Sequence, residues 1–450
     1  MRVFFGCLLS LILFSYGGEN FVHAENEIVY LGQEACTPCD AIGEQPPNDP
    51  CDAVSCDTDT FNLFSHNYPY RRNHRKSLFD SLDFFGWIQG GVYANSRGNT
   101  VTRSKGTNYN GRTVTQLDSG SGNGDLHLGV KSTDFQVNQL WFGVKRNADG
   151  KHGLDWGGAA EVIFGTEAWI AQSWGDAELD YGWQDGDYST AFPQLYFQLA
   201  YGNLSVKAGK FETIIGYEAF RAANFFFYSH SYIFHLEPYS HSGVFGEYNP
   251  GGKWSFGAAY TTGANSSIEN AFDDHGLLGL ISYQLTDDLS ISYAVTYNHN
   301  GYGAYRDPGD TNKNRYGLSG TNVYLHTVAA SYNISDKWNY VLQWNYNNAK
   351  LREDGSHALS YGIANTLTYQ FNDKWGIGFR AEWANLDGIY GFGNDISEYT
   401  LGVNWKPYSN ISIRPEIRYD YSAGSNAAKL FNNGKNRDQF SGGIASVISF

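Results

Sequence analysis

Four groups of residues in the chain have types and spacings that could do chemistry, and each has a competing, plainer reading. Cys36, Cys39, Cys51 and Cys56 make a C-x2-C pair followed by a C-x4-C pair. Such a set can hold zinc as thiolates or close two disulfides, and the compartment decides between them. His230, His235 and His241 recur at i, i+5 and i+11, which matches no standard zinc pattern. They read as loop packing, so no metal site and no cofactor is expected. Asp307-Pro308-Gly309-Asp310-Thr311-Asn312-Lys313-Asn314 is rich in oxygen ligands but lacks the full calcium-loop pattern, and a solvated loop explains it as well. The fourth group is a ladder in which Arg414, Glu416, Arg418 and Asp420 alternate with apolar residues. No nucleophile elbow, HExxH or phosphate-binding loop is present, and His326 and Ser331 are poorly spaced for a barrel-embedded hydrolase. The chain is therefore not expected to be an enzyme.

The charged ladder asks what element would place it. Ile411, Ile413, Pro415, Ile417, Tyr419 and Tyr421 alternate with Ser412, Arg414, Glu416, Arg418 and Asp420, the period of a strand with one greasy and one wet face. The same phase repeats at Leu289–Tyr297, Trp338–Tyr346 and Trp375–Trp383, and again from Phe440 to the terminal Phe450. The apolar rows begin and end in Trp or Tyr, as at Trp338, Tyr346, Trp375, Trp383, Tyr399 and Trp405, which fits aromatic girdles at a membrane surface. Short turns recur at one end (Asn203, Asn249–Gly252, Thr286–Asp288, Ser335–Lys337, Asn372–Lys374, Pro407–Asn410), and long Gly-, Asn- and Asp-rich loops at the other.

The expected fold is all-β: a transmembrane antiparallel up-and-down barrel with short periplasmic turns and long external loops. About sixteen strands are expected, near 84–95, 135–146, 154–166, 193–201, 203–211, 242–249, 253–262, 276–286, 288–299, 321–334, 336–348, 358–371, 374–387, 396–407, 409–421 and 439–450. Loops 96–134 and 167–192 are long enough to hide a hairpin, which leaves fourteen or eighteen open.

Composition agrees. Charged residues are 17% and aromatics 16%, with 52 Gly, 33 Tyr and a single Met. A formal net charge of −15 argues against nucleic acid as a partner. Residues 1–24 read as a secretory signal: Arg2, an apolar run from Val3 to Tyr16, and Val22-His23-Ala24 before the cut. Residues 25–78 form a Cys-bearing, partly disordered periplasmic segment in which export favours disulfides over zinc. Residues 79–450 are the outer-membrane barrel. Its expected partners are outer-membrane lipid, small hydrophilic solutes and, through the terminal Phe450, the barrel-assembly machinery; trimer and monomer are both open.

A barrel of this size encloses a channel, so inward residues are the functional surface. Strand phase sends Glu161, Lys207, Arg380, Glu382, Lys406, Arg414, Glu416, Arg418 and Asp420 inward, where they escape the ~2–4 kcal/mol cost of a charge facing lipid. They would either pair with one another and stiffen the wall, or face opposite charges on a loop and set a field across the pore. The loop at 212–241 is the candidate constriction, through Glu218, Arg221, Tyr228, His230, Glu237 and His241. Its run Asn224-Phe225-Phe226-Phe227-Tyr228 is too apolar to stand in water and should pack against the inner wall; an external cap or an oligomer contact is the alternative. The expected function is a porin passing small hydrophilic solutes by diffusion, with a modest cation preference from the acidic balance. A non-conducting structural or adhesive barrel is the other reading.

Gly209-Lys210-Phe211, Gly216-Tyr217-Glu218, Asn224-Phe225-Phe226, Tyr228-Ser229-His230-Ser231-Tyr232, Glu237-Pro238 and His241-Ser242-Gly243 together resemble the OmpL-like β-barrel porins, a group frequent in planctomycetes. Phe84–Gly91 and Gln139-Leu140 are similar to the same group. The resemblance spans 80–450, is most specific over 209–243, and implies an outer-membrane channel without established catalytic or binding residues.

Overall fold

The computed structural model describes residues 81–97, 103–107, 113–117, 134–173, 179–180, 183–185, 187–268, 275–299, 320–351, 357–386, 395–423, 429–432 and 435–450. The export signal at 1–24, the cysteines of 25–78 and the Asp307–Asn314 stretch lie outside them.

The wall consists of sixteen antiparallel strands. They are β1 (Asp83–Asn95), β2 (Phe135–Arg146), β3 (Asp155–Gly165), β4 (Leu195–Tyr201), β5 (Leu204–Glu212), β6 (Ser240–Tyr248), β7 (Trp254–Ala264) and β8 (Gly276–Thr286). The second half is β9 (Leu289–Asn298), β10 (Gly320–Ser335), β11 (Trp338–Leu351), β12 (His357–Asn372), β13 (Trp375–Asn385), β14 (Asp395–Tyr408), β15 (Ile411–Ala423) and β16 (Asp438–Ser449). Each strand pairs with its neighbours in sequence. β16 returns to β1 in the register Trp87↔Ser449, Gly91↔Ala445 and Asn95↔Ser441. The backbone of Phe450 closes the seam, exchanging hydrogen bonds of 3.0 and 2.9 Å with Gly86. A closed sheet leaves no edge, the condition for strands to cross hydrocarbon.

Both long loops do contain a hairpin, yet the barrel count stays at sixteen. Arg103–Thr107 pairs with Thr113–Leu117 as a separate two-stranded sheet. Gln184–Asp185 pairs with Tyr188–Ala191, and the latter continues the β3 ladder above β4 through Ile163↔Ala191.

Alternation fixes which face is wet. Along β13, Trp375, Phe379 and Trp383 point outward, whereas Gly376, Gly378, Arg380 and Glu382 are buried inside. Taking an aromatic or aliphatic side chain out of water is worth ~1.5–3 kcal/mol, so lipid is the solvent this outer face fits. Two bands of paired rings mark the membrane surfaces. Trp254–Tyr283 (4.3 Å), Trp338–Tyr369 (4.5 Å) and Trp375–Trp405 (5.3 Å) lie near the short turns. Tyr297–Tyr324 (4.9 Å) and Tyr361–Trp383 (5.6 Å) lie near the loops. Among the described residues no helix is long and apolar enough to cross a membrane.

Candidate functional site

The segment 213–239, joining β5 to β6, folds against the inside of the wall. Its neck is pinned where the Thr213 amide donates to Tyr239 O (2.9 Å). The amides of Tyr239 and Ser240 also both donate to Asn265 Oδ1 (2.7 and 2.9 Å).

The Asn224–Tyr228 run sinks its rings onto inward glycines of neighbouring strands. A Cβ on Gly378 would stand 2.5 Å from the Phe226 ring and 2.9 Å from that of Phe227. Gly402 makes room for Phe227, and Gly91 and Gly443 for Tyr228. These positions show why strand alternation alone does not reveal the seat: an inward glycine gives no signal until something is laid on it.

Backbone polar groups carried out of water need partners, and the wall supplies charged ones. Glu416 receives two successive amides, Tyr228 (2.8 Å) and Ser229 (3.1 Å). Glu382 receives the next such pair, Tyr232 (2.7 Å) and Ile233 (2.6 Å). The carbonyls between go to arginines: Arg380 donates to Ser229 O (2.8 Å) and Arg418 to His230 O (2.7 Å). Arg414 donates to Ala222 O at 2.6 Å. Asp420 accepts from the Tyr232 hydroxyl at 2.7 Å. The wall charges are also paired with one another. Arg380 binds Glu398, and Arg418 lies 2.7 Å from Asp420 and 3.4 Å from Glu398. Four of these side chains are at most 1% exposed, so they form a closed network rather than bare charge on a water column.

On the β2–β3 side the signs reverse. The loop's Arg221 bridges Glu161 (2.6 Å) and Glu212 (2.9 Å) and lies 4.7 Å over the Trp141 ring. Glu161 also accepts from the Trp141 indole at 2.9 Å. Lys207 stands apart: it is half-buried between the rings of Tyr196 (5.3 Å) and Phe245 (5.2 Å).

Inside the loop, Glu218 accepts from the Ser231 amide (3.0 Å) and meets His230 Nδ1 at 2.6 Å. Burial pushes its carboxyl up, but Arg380, His230 and the Ser231 bond outweigh burial and hold it below the usual range. His230 is stacked between Phe225 (5.0 Å) and Phe234 (4.1 Å). Glu237 differs. It accepts from the Gln343 (2.5 Å) and Asn345 (2.7 Å) amides, yet burial pushes it well above the usual carboxylate range. Its carboxyl presses on Gly216, whose φ of +85° and lack of a Cβ make that approach available.

Of the loop residues picked out by sequence, Glu218, Arg221, Tyr228, His230 and Glu237 lie in this assembly. His241 does not belong to the loop: it is the second residue of β6, buried beside Phe211 and within 3.1 Å of the Thr213 hydroxyl. Several participants had no local signal. Gln139 takes the Ala222 amide (3.1 Å) and donates to Phe220 O (2.9 Å). Asn138 receives the Tyr228 hydroxyl at 3.0 Å. Lys210 is buried against Asp180 (2.8 Å) and Ala171 O (2.7 Å), which ties the segment after β3 to β5. Ala168 and Ala171 of that segment pack with Phe220 and Ala222, so two loops share one interior cluster.

No curated protein sequence is similar to this one. Among solved structures, OmpT of Vibrio cholerae in its trimer form is 14% identical, with a TM-score of 0.51 over 82% of this chain and 99% of that one. An anion-selective porin from Comamonas acidovorans is 11% identical, with a TM-score of 0.51 over 82% and 99%. At this identity both speak to fold alone. The family model described as putative beta-barrel porin-2, OmpL-like matches residues 81–450.

Proposed function

We propose, for a chain that belongs to the putative beta-barrel porin-2, OmpL-like family, that the barrel passes small hydrophilic solutes by diffusion and that the 213–239 loop sets its bore. The protein is an outer-membrane β-barrel porin. The observation that carries the finer reading is the double capture of the loop backbone. Glu416 and Glu382 take four amides, while Arg380, Arg414 and Arg418 take three carbonyls, over residues 222–233. A loop held at both polarities is a fixture of the wall, so the charges of β13 and β15 act as its clamps. Lys207 is a basic group that the loop leaves partly accessible. In the same proposal residues 1–24 serve as the export signal, and a homotrimer is one assembly open to the barrel, supported by the trimer form of OmpT of Vibrio cholerae, whose fold it shares.

One observation favours a non-conducting barrel instead. Phe245, Leu278, Ala294 and Leu325, on the wall opposite the clamps, are also buried, clustered with Phe211 and Ile215. Conductance of the purified protein in planar bilayers separates the two. Stepwise current increments are expected; insertion without current would overturn the channel reading.

A further inference from the structure

The inner wall is divided by charge. Among the described residues of the six consecutive strands β7–β12, no inward position holds Asp, Glu, Lys or Arg, whereas β13, β14 and β15 carry Arg380, Glu382, Glu398, Arg414, Glu416, Arg418 and Asp420. The neutral sector is lined near the short-turn end by hydroxyls and amides in register. Ser255, Ser282 and Ser292 stand directly opposite one another on β7, β8 and β9. Asn333, Asn339 and Thr368 do the same on β10, β11 and β12, with Asn339 donating to Asn333 at 2.9 Å. All six are partly solvent-accessible, and they lie on the short-turn side of the level at which the loop covers Leu278, Ala294, Leu325, Gln343 and Asn345, whereas the charged set is buried by the loop throughout.

Resting on the channel reading, we propose that on the short-turn side of the loop the solute path runs along β7–β12 and selects uncharged, hydrogen-bonding molecules. An ion entering a confined passage needs fixed opposite charge or aligned dipoles to replace its hydration. A neutral polyol needs donors and acceptors, which serine, threonine and asparagine supply on both counts. The charged sector gives the ion little help, because its members are paired and covered. At the border with β6, Glu247 sits opposite Gly257, and Lys207 opposite Phe245 on the same face, one charge of each sign. The whole-chain charge of −15 points instead to a cation preference; the proposal departs from it because none of that charge lies on this wall.

Vesicles holding the folded barrel, scored by swelling, test this with three probes of similar size: glucose, potassium gluconate and glucosamine hydrochloride. Glucose influx is expected to exceed that of either charged probe by about three-fold or more. Gluconate or glucosamine entering as fast as glucose would overturn the proposal and leave the channel reading standing. No swelling with any probe would overturn both. Ser292→Asp places a carboxylate in the serine row and should raise the glucosamine-to-gluconate ratio; an unchanged ratio would show that the path lies elsewhere.

Discussion

Glu416→Gln changes one atom of the clamp and leaves its shape intact. In the native protein the two carboxylate oxygens accept from the Tyr228 and Ser229 amides at 2.8 and 3.1 Å. In the variant one oxygen becomes an NH2 facing an N–H. A bond to a charged acceptor is worth ~1.5–3 kcal/mol and a stranded buried donor costs ~1–3 kcal/mol, so docking weakens by about 3–5 kcal/mol. That is roughly two to four powers of ten in the docked-to-released ratio. The loss falls on the loop, because the β15 ladder keeps its backbone bonds to β14 and β16. Single-channel recording should show brief, larger-conductance openings that the parent lacks. Hydrogen exchange at Tyr228 and Ser229 should accelerate while the strand amides stay protected. If the variant gives the parent's current trace and the parent's exchange at both amides, the carboxylate is not a clamp.

Gly378→Val puts branched carbon where the Phe226 ring lies 2.5 Å from a bare Cβ, so the loop tip must lift; overpacking of this kind costs ~1–3 kcal/mol, to be seen as a lower melting temperature and raised conductance. The two loop carboxylates give opposite pH dependences. Glu237 has a folded pKa raised by burial above its ordinary 4.5, so its contribution is fully present below that value and is lost as pH rises. Glu237→Gln should flatten the alkaline fall in melting temperature, and an unchanged slope would remove Glu237 as the cause. Glu218, held below 4.5, contributes above that pH and loses its effect as the medium is acidified; Glu218→Gln should blunt acid release of the loop, read by exchange at Ser231. Tyr228→Phe removes one hydroxyl bond to Asn138 (3.0 Å) and is expected to cost only about 1 kcal/mol by thermal melting.

Much of the wall was legible in sequence because a strand's period of two is a strictly local property. Ile411–Tyr421 shows its phase within eleven residues, and Phe440–Phe450 likewise; all sixteen predicted segments overlap the strands found. The 224–228 run was legible as a packed loop because its apolar rings have nowhere else to go. The clamps were only half legible. Phase places Glu382, Arg414, Glu416 and Arg418 inside, but which backbone atom each meets depends on a loop up to 192 residues away in sequence, as for Arg414 and Ala222. The glycine seat at Gly91, Gly378, Gly402 and Gly443 carries no side chain from which to infer a contact. The Lys210–Asp180 pair was hidden for a related reason: the 167–192 stretch has no dominant period, so it read as a loop that could hold a hairpin and not as a second infolded segment. His241 was assigned to the loop because the start of β6 was placed two residues late, at 242: the strand opens with Ser-His-Ser, which has no apolar alternation until Val244.

The central claim, that a loop clamped inside the barrel sets the bore of a diffusion channel, is tested most directly by single-channel conductance before and after residues 219–235 are replaced with a short Gly–Ser linker. Heat-modifiable migration would confirm that both barrels are folded. The account predicts a small, steady conductance for the full chain and a several-fold larger one for the shortened chain. Equal conductances would contradict it.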